Sequence, residues 1–305
     1  MSNAGAPRPD PTMIGDLAAP PFARLPEPQT LFEQRAARFR AVATNNPLER
    51  YLRFLADLSE CQHRVQDGLP EPGMPASDTV KRAKEHAMPP LDRSRFTADE
   101  ALDATFERLF ALAAEIDMPD TARQALARTR GADPAVRDAM VRSVLADSIP
   151  VEALADHAYV AAALQVHFAR MAARLTAADL VPIEDGTCPS CGGAPVASAI
   201  VGWHGATGTR FCTCSLCATQ WHVVRIKCVL CGSTKGIAYQ EVEGVSTNIQ
   251  AETCESCRGY VKILHQHKEP ALDPFADDIA SLGLDLLLRE SGYRRGGVDP
   301  FLLGY

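Results

Sequence analysis

Between residues 31 and 175 apolar side chains recur at intervals of three and four, the spacing of helices that bury one face. Thr30 and Glu33 stand at capping-box spacing and predict a helix over 31–44. Asn46 followed by Pro47 predicts a second N-terminus, because Pro at the first helical position lacks only an amide that would have no partner there. Tyr51, Phe54, Leu55, Leu58 and Val65 then keep to one stripe. Thr97 and Glu100 open a further helix with Leu102, Phe106, Leu109, Phe110 and Ile116 inward, and Asp133 with Pro134 opens another. A long helix is predicted from Val151 to Leu175, with Leu154, Leu164, Phe168, Met171 and Leu175 facing the core. Abundant alanines permit close helix packing, so this stretch predicts a bundle of six or more helices.

The flanking segments break this pattern. Residues 1–30 carry Pro7, Pro9, Pro11, Pro20, Pro21, Pro26 and Pro28 with few periodic apolar positions, and read as an extended arm. From Thr187 the helical period gives way to glycines, β-branched residues and short alternating runs such as TQWHVV and GYVKIL, which predict strands. Asp273 and Pro274 restart a helix that runs to about Glu290, with Ile279, Leu282, Leu286 and Leu287 as its stripe. The expected fold class is α+β. A mainly α-helical N-terminal domain over 31–184 precedes two tandem rubredoxin-like or zinc-ribbon-like β units over 185–226 and 227–268, then a C-terminal helix and tail over 269–305.

The 305 residues are 46% hydrophobic and 23% charged, the balance of an ordinary soluble globular chain. Lys and Arg number 31 against 38 Asp and Glu, and the net charge of -7 argues against attachment to nucleic acid or anionic lipid through overall charge. The longest weakly charged stretch, Ala158 to Ala169, is too short for membrane insertion. The opening MSNAGAPRPDPT lacks a basic segment followed by an apolar core, so no secretory signal is expected and the expected location is cytoplasmic. The sequence shows no P-loop, dinucleotide-binding glycine motif, nucleophile elbow or HExxH, and an enzyme is not expected.

Cysteine placement changes the picture. Of ten cysteines only Cys61 lies outside residues 188–257. Eight form CxxC pairs, Cys188/Cys191, Cys214/Cys217, Cys228/Cys231 and Cys254/Cys257, and each cysteine of the first two pairs has a counterpart 40 residues later. A fixed period means one supersecondary unit used twice. In each CxxC turn two sulfurs three positions apart converge on one ion, and Gly192 or Gly232 after the first pair permits the backbone this turn needs. Two such knuckles per repeat predict one all-sulfur tetrahedral site, with 188/191 sharing an ion with 214/217 and 228/231 with 254/257. In a reducing compartment, where structural disulfides rarely persist, this clustering points to metal ligation or thiol chemistry. Ligand type alone leaves zinc and rubredoxin-type iron both open.

The remaining candidates read more plainly. Cys212 has Glu252 at its repeat position, so it is not a duplicated ligand and reads as a spare thiol beside a site. Cys61 reads as a small core residue, and His157 and His167, ten positions apart on one helix, are too distant to share an ion. Between 185 and 268 seven basic residues oppose five acidic ones, a weak footprint for nucleic acid, although Trp221, His222 and Arg225 offer a stacking and cationic surface if Trp221 does not pack the ribbon. His265 and His267 alternate onto one face and read as solvated strand ends.

CPSCG at 188–192, CSLCATQWHVVRIKC at 214–228, CESC at 254–257 followed by YVKIL, ADDIASLGLD at 276–285, the terminal DPFL and NNPLERYLRFLADL at 45–58 are together similar to the formate dehydrogenase accessory protein family, FdhE. The resemblance covers most of the chain from about Leu31; Cys212 departs from it, since an apolar residue is usual there. It implies a cytoplasmic maturation factor that binds the molybdenum-containing catalytic subunit of respiratory formate dehydrogenase before export. It also implies rubredoxin-like iron at the eight paired cysteines, two ions per chain, and no substrate turnover. A rubredoxin-like electron carrier and a nucleic-acid ribbon protein are the alternatives, and a homodimer is left open.

Overall fold

Helix punctuation in the computed structural model, which describes residues 20–241 and 248–302, differs from the sequence expectation at several ends. Most of the proline-rich arm, residues 1–19, lies outside the described residues, as do 242–247 and 303–305. The end of the arm forms β1 (Ala23–Arg24). Next, α1 (Pro28–Ala43) begins before Thr30, because Pro28 occupies the first turn, where a missing amide costs nothing. Thr30 is therefore inside the helix, and its hydroxyl reaches back to the Glu27 carbonyl at 3.5 Å instead of capping. Helix α2 (Glu49–Arg64) starts one turn after Asn46, whose Oδ1 accepts from the Leu48 amide at 2.9 Å and holds the entry turn. α3 (Ser77–Glu85) is short and largely exposed. Helix α4 (Glu100–Ala113) is capped by Asp99, which accepts from the Leu102 amide, so the cap is two residues beyond Thr97.

Asp120–Gly131 forms α5. Asp133 caps α6 (Pro134–Leu145) through the amides of Ala135 and Val136, as its Asp-Pro signature predicts. Helix α7 (Leu154–Ala172) follows a 3-10 turn at Val151–Ala153 and is buried nearly all round. The helices α1, α2, α4, α5 and α6 pack about it. Its alanines at 161–163, 169 and 172 let neighbours approach closely, while Phe32, Phe39, Leu52, Leu102, Phe106 and Phe168, each at most 1% exposed, fill the space between. Each such side chain contributes about 1.5–3 kcal/mol by leaving water. Tyr51 and Phe54 sit at the edge of the predicted stripe; Leu52, Leu55, Leu58 and Cys61 are its buried members.

The cysteine region forms six strands: β2 (Pro195–Ile200), β3 (Arg210–Cys214), β4 (Gln220–Val223), β5 (Ile237–Gln240), β6 (Ile249–Cys254) and β7 (Gly259–Leu264). Each repeat is an antiparallel three-strand unit, and the two units join edge to edge by parallel pairing of Ser198 with Ile263 and Ala199 with Leu264. The sheet order is β1-β4-β3-β2-β7-β6-β5, with β1 from the arm pairing β4 at Ala23 and Trp221. The hydrophobic core runs without a break from α7 and α4 into Val196, Phe211, Trp221 and Leu264, so the ribbons share the helical core.

The C-terminal segment contains α8 (Ala276–Ala280), α9 (Leu282–Glu290) and β8 (Arg294–Arg295), which adds to β7. Asp273 caps it as expected, accepting from the Phe275 and Ala276 amides at 2.9 Å. The helix breaks at Ser281, and the break restarts its phase: Ile279, Leu284 and Leu288 are buried while Leu286 and Leu287 are exposed. Buried charge holds this segment to the second ribbon. Lys262 on β7 places Nζ 2.5 Å from Asp285 and 3.3 Å from Asp278, Arg295 pairs with both carboxylates, and the Tyr260 hydroxyl donates to Asp285 at 2.7 Å. No helix among the described residues is long and apolar enough to cross a membrane.

Candidate metal centres

Each repeat brings its own four cysteines together. Cys188, Cys191, Cys214 and Cys217 form one group and Cys228, Cys231, Cys254 and Cys257 the other, with all sulfurs of a group within 4.8 Å of one another. In the first group Cys188 Sγ lies 3.6 Å from Cys217 Sγ, and Cys191 Sγ lies 3.4 Å from Cys214 Sγ. The corresponding separations in the second are 3.9 and 3.8 Å. No disulfide joins any of the ten cysteines. A tetrahedron of thiolates about 2.3 Å from a central ion has sulfur–sulfur edges of about 3.8 Å, so both cages have the size and the donor set for zinc or iron.

The knuckle geometry repeats with the sequence. Gly192 and Gly232 follow the first CxxC of each unit at φ +78° and +73°, the left-handed conformation for which glycine was expected. The second knuckles adopt the same conformation without glycine, at Ala218 (φ 58°) and Arg258 (φ 54°), also 40 residues apart. Side chains at these two positions carry local backbone strain that the cage geometry holds in place. The turn aims amides at sulfur: those of Leu216 and Cys217 lie 3.4 and 3.5 Å from Cys214 Sγ.

These thiols stand in for the thiolates of a loaded site. Burial pushes Cys188 and Cys191 well above the usual thiol range. Burial acts on Cys214 too, but hydrogen bonds from the other three thiols and the Cys217 amide outweigh it and hold Cys214 well below that range. In the second cage burial pushes Cys228 up to about 12, whereas amides of Cys257 and Ser256 overcome burial and bring Cys254 down to about 7.

The other candidates stand apart. Cys212 is buried in β3 outside the cage, its thiol pushed up to about 12 by burial, and Cys61 is a core thiol pushed up to about 11 for the same reason. Trp221 is 4% exposed and packs the ribbon, which removes it as a stacking surface. His265 and His267 stack edge to face with centroids 5.3 Å apart; His265 bonds Gln250 and His267 approaches the Ile200 carbonyl. His157 bonds the Ala153 carbonyl, and His167 is enclosed by Phe96 and Phe168.

The support around the sulfurs comes from residues that carry no motif in the sequence. Thr219 Oγ1 accepts from Cys217 Sγ at 3.2 Å and donates to Ser190 Oγ at 2.9 Å. Arg210 and Glu252, one from each repeat, form a buried ion pair at 2.6 Å, and Ser198 Oγ accepts from the same guanidinium. Only the occurrence of Glu252 opposite Cys212 in the repeat alignment hinted at this departure.

Comparison with known proteins places the chain. The family model described as FdhE, N-terminal matches residues 20–185, that for the FdhE central domain 187–225, and that for the FdhE C-terminal domain 226–302. The chain belongs to the FdhE family. An FdhE homolog from Rhizobium meliloti is 47% identical over 300 residues, 98% of each chain. One from Stutzerimonas stutzeri is 36% identical over 284 residues, 90% of each. The crystal structure of FdhE from Pseudomonas aeruginosa superimposes with a TM-score of 0.83 at 32% identity, covering 93% of this chain and 99% of that one. The helical part, the cysteine ribbons and the C-terminal segment therefore all fall within FdhE family matches.

Proposed function

We propose that this FdhE-family chain is a cytoplasmic maturation factor that binds the catalytic subunit of respiratory formate dehydrogenase and assists its assembly before export. Family membership along the whole described chain is the observation that carries this reading. The site chemistry agrees with it. Four thiols saturate a tetrahedral ion, so neither cage keeps the open position that substrate activation at a metal needs. The ions, iron of the rubredoxin type or zinc as the alternative, would cross-link each ribbon and could exchange electrons if iron.

In this reading Cys188, Cys191, Cys214 and Cys217 ligate one ion and Cys228, Cys231, Cys254 and Cys257 the second. The helical domain to residue 184, the ribbons over 185–226 and 227–268, and the segment from 269 act as one recognition scaffold, as monomer or homodimer. Affinity purification under anaerobic conditions tests it: formate dehydrogenase catalytic subunit is expected among the retained proteins. Its absence, with RNA or DNA retained instead, overturns it.

An electron-carrier reading draws on one feature, the solvent-facing Cys231 of the second cage. It requires an iron–thiolate absorption band that bleaches and recovers reversibly; a colourless zinc protein with full complementing activity excludes it.

A further inference from the structure

The two cages share ligand type, spacing and knuckle backbone, yet they differ in access. All four sulfur-bearing residues of the first cage are 0% exposed. In the second, Cys228 and Cys254 are 3% and 1% exposed, Cys257 is half-buried and Cys231 is exposed. Cys191 and Cys231 occupy the same place in the repeat, so the difference comes from what lies outside it.

That outside contribution is the segment before α4. The Leu91 amide donates to the Ser190 carbonyl at 2.9 Å and the Arg93 amide to the Cys191 carbonyl at 3.0 Å. Pro89 lies so close over the knuckle that a Cβ on Gly192 would be 3.3 Å from its ring. Arg93 is itself fixed by Asp147 at 2.6 Å. The helical domain thus closes the first knuckle as a lid. At the second knuckle Leu230 packs toward Gly259 and Gly296, but among the described residues no backbone amide donates to the Leu230 or Cys231 carbonyl. Beside Cys231, Gly232 is approached by the Asp185 carboxylate, but this side chain and its partner Lys227 are themselves solvent-exposed, and Ser233 meets Ser256 at the surface.

We infer that the second cage is an exchange site, where a soft-donor ligand such as an external thiol or chelator reaches the ion through Cys231, while the first cage is a permanent staple. Ligand exchange at a saturated thiolate tetrahedron starts with an incoming donor beside the leaving sulfur. With an ion held by the four sulfurs, an incoming thiol would lose its proton on replacing Cys231 as ligand, and the released Cys231 would take a proton up. No such approach exists at the first cage unless the 89–93 segment lifts, which also breaks two hydrogen bonds to the knuckle. Only the second cage can therefore hand its ion to a partner, or receive one, without local unfolding.

This inference rests on the metal-binding reading above, and elemental analysis separates the two: fewer than two ions per chain in the anaerobically prepared protein sinks the reading itself. With two zinc ions present, the full chain is challenged with the chromogenic chelator 4-(2-pyridylazo)resorcinol. One equivalent is expected to leave at least ~10-fold faster than the other, the ratio given by a barrier difference of about 1.4 kcal/mol. Cys231→Ser should accelerate or abolish the fast equivalent and leave the slow one unchanged, whereas Cys191→Ser should affect the slow one. If a variant fails to fold, timed iodoacetamide labelling of the wild-type holoprotein supplies the answer, with Cys231 and Cys257 expected to react before any cysteine of the first cage. Release of both equivalents together, or first labelling at the first cage, overturns the inference.

Discussion

Glu252→Gln keeps the volume of a buried side chain and removes its charge, leaving the Arg210 guanidinium in the protein interior without its counterion. The pair is 0% and 3% exposed and spans β3 of the first repeat and β6 of the second. Removing one partner of such a pair costs about 3–5 kcal/mol, and we take the lower value because Ser198 Oγ still accepts from Arg210 at 3.0 and 3.1 Å. Spread over a chain of this size, ~3 kcal/mol lowers the melting temperature by roughly 5 °C. The assay is thermal unfolding followed by circular dichroism, with the metal content of each preparation measured so that ion loss is not mistaken for loss of the pair. A second variant fixes the cause. Burial pushes the Glu252 carboxyl up from its usual range against the pull of Arg210, so desolvation is the larger effect here. Arg210→Met with Glu252→Leu should then melt close to wild type. Equal melting of wild type and Glu252→Gln, or a double variant as unstable as the single one, refutes the reasoning.

Three further outcomes follow from the same structure. His167 is fully buried, and burial, outweighing attraction to Asp99, pushes its pKa down to about 4. The unfolded chain then binds more protons below its own value of about 6.5, so the His167 contribution is complete above that pH and falls by about 2 kcal/mol at pH 5. Denaturant midpoints of wild type and His167→Phe at pH 7.5 and 5 should diverge by this amount, since acid effects on the shared cages cancel; an unchanged difference contradicts it. Stripping both ions with a chelator under reducing conditions should raise hydrogen exchange in β2–β7 while α2, α4 and α7 keep their protection, because the ribbons have less core of their own; uniform loss across the chain counts against this. Phe301 is 6% exposed and its carbonyl accepts from the Tyr51 hydroxyl, so Phe301→Ala should cost ~3 kcal/mol in urea unfolding, and a change below about 1 kcal/mol would show that the tail does not dock.

The two four-cysteine groups were legible because CxxC spacing and the period of 40 are properties of the chain itself. The helices were legible for a similar reason, since Asp133–Pro134 and the run Leu102, Phe106, Leu109, Phe110 encode ends and faces locally. Helix starts misread at Thr30 and Thr97 had nearby competitors, Pro28 and Asp99, that serve the first turn better. What was not legible depends on contacts between distant segments. Parallel pairing of Ser198 and Ile263 fuses two units that look independent in the repeat. Nothing in the local sequence marks Lys262, Asp278, Asp285 and Arg295, which become a buried network only when α8 and α9 fold onto β7. The covering of Cys191 but not Cys231 arises from residues about 100 positions earlier in the chain, which no local pattern announces.

X-ray absorption at the metal edge of the anaerobically purified chain, combined with ion count, tests the two-cage account most directly. The account predicts two ions per chain, each with four sulfur neighbours at about 2.3 Å and no nitrogen or oxygen ligand. Fewer than four sulfurs per ion, one ion shared between the repeats, or sulfur–sulfur bonds of about 2.05 Å in place of metal would contradict it.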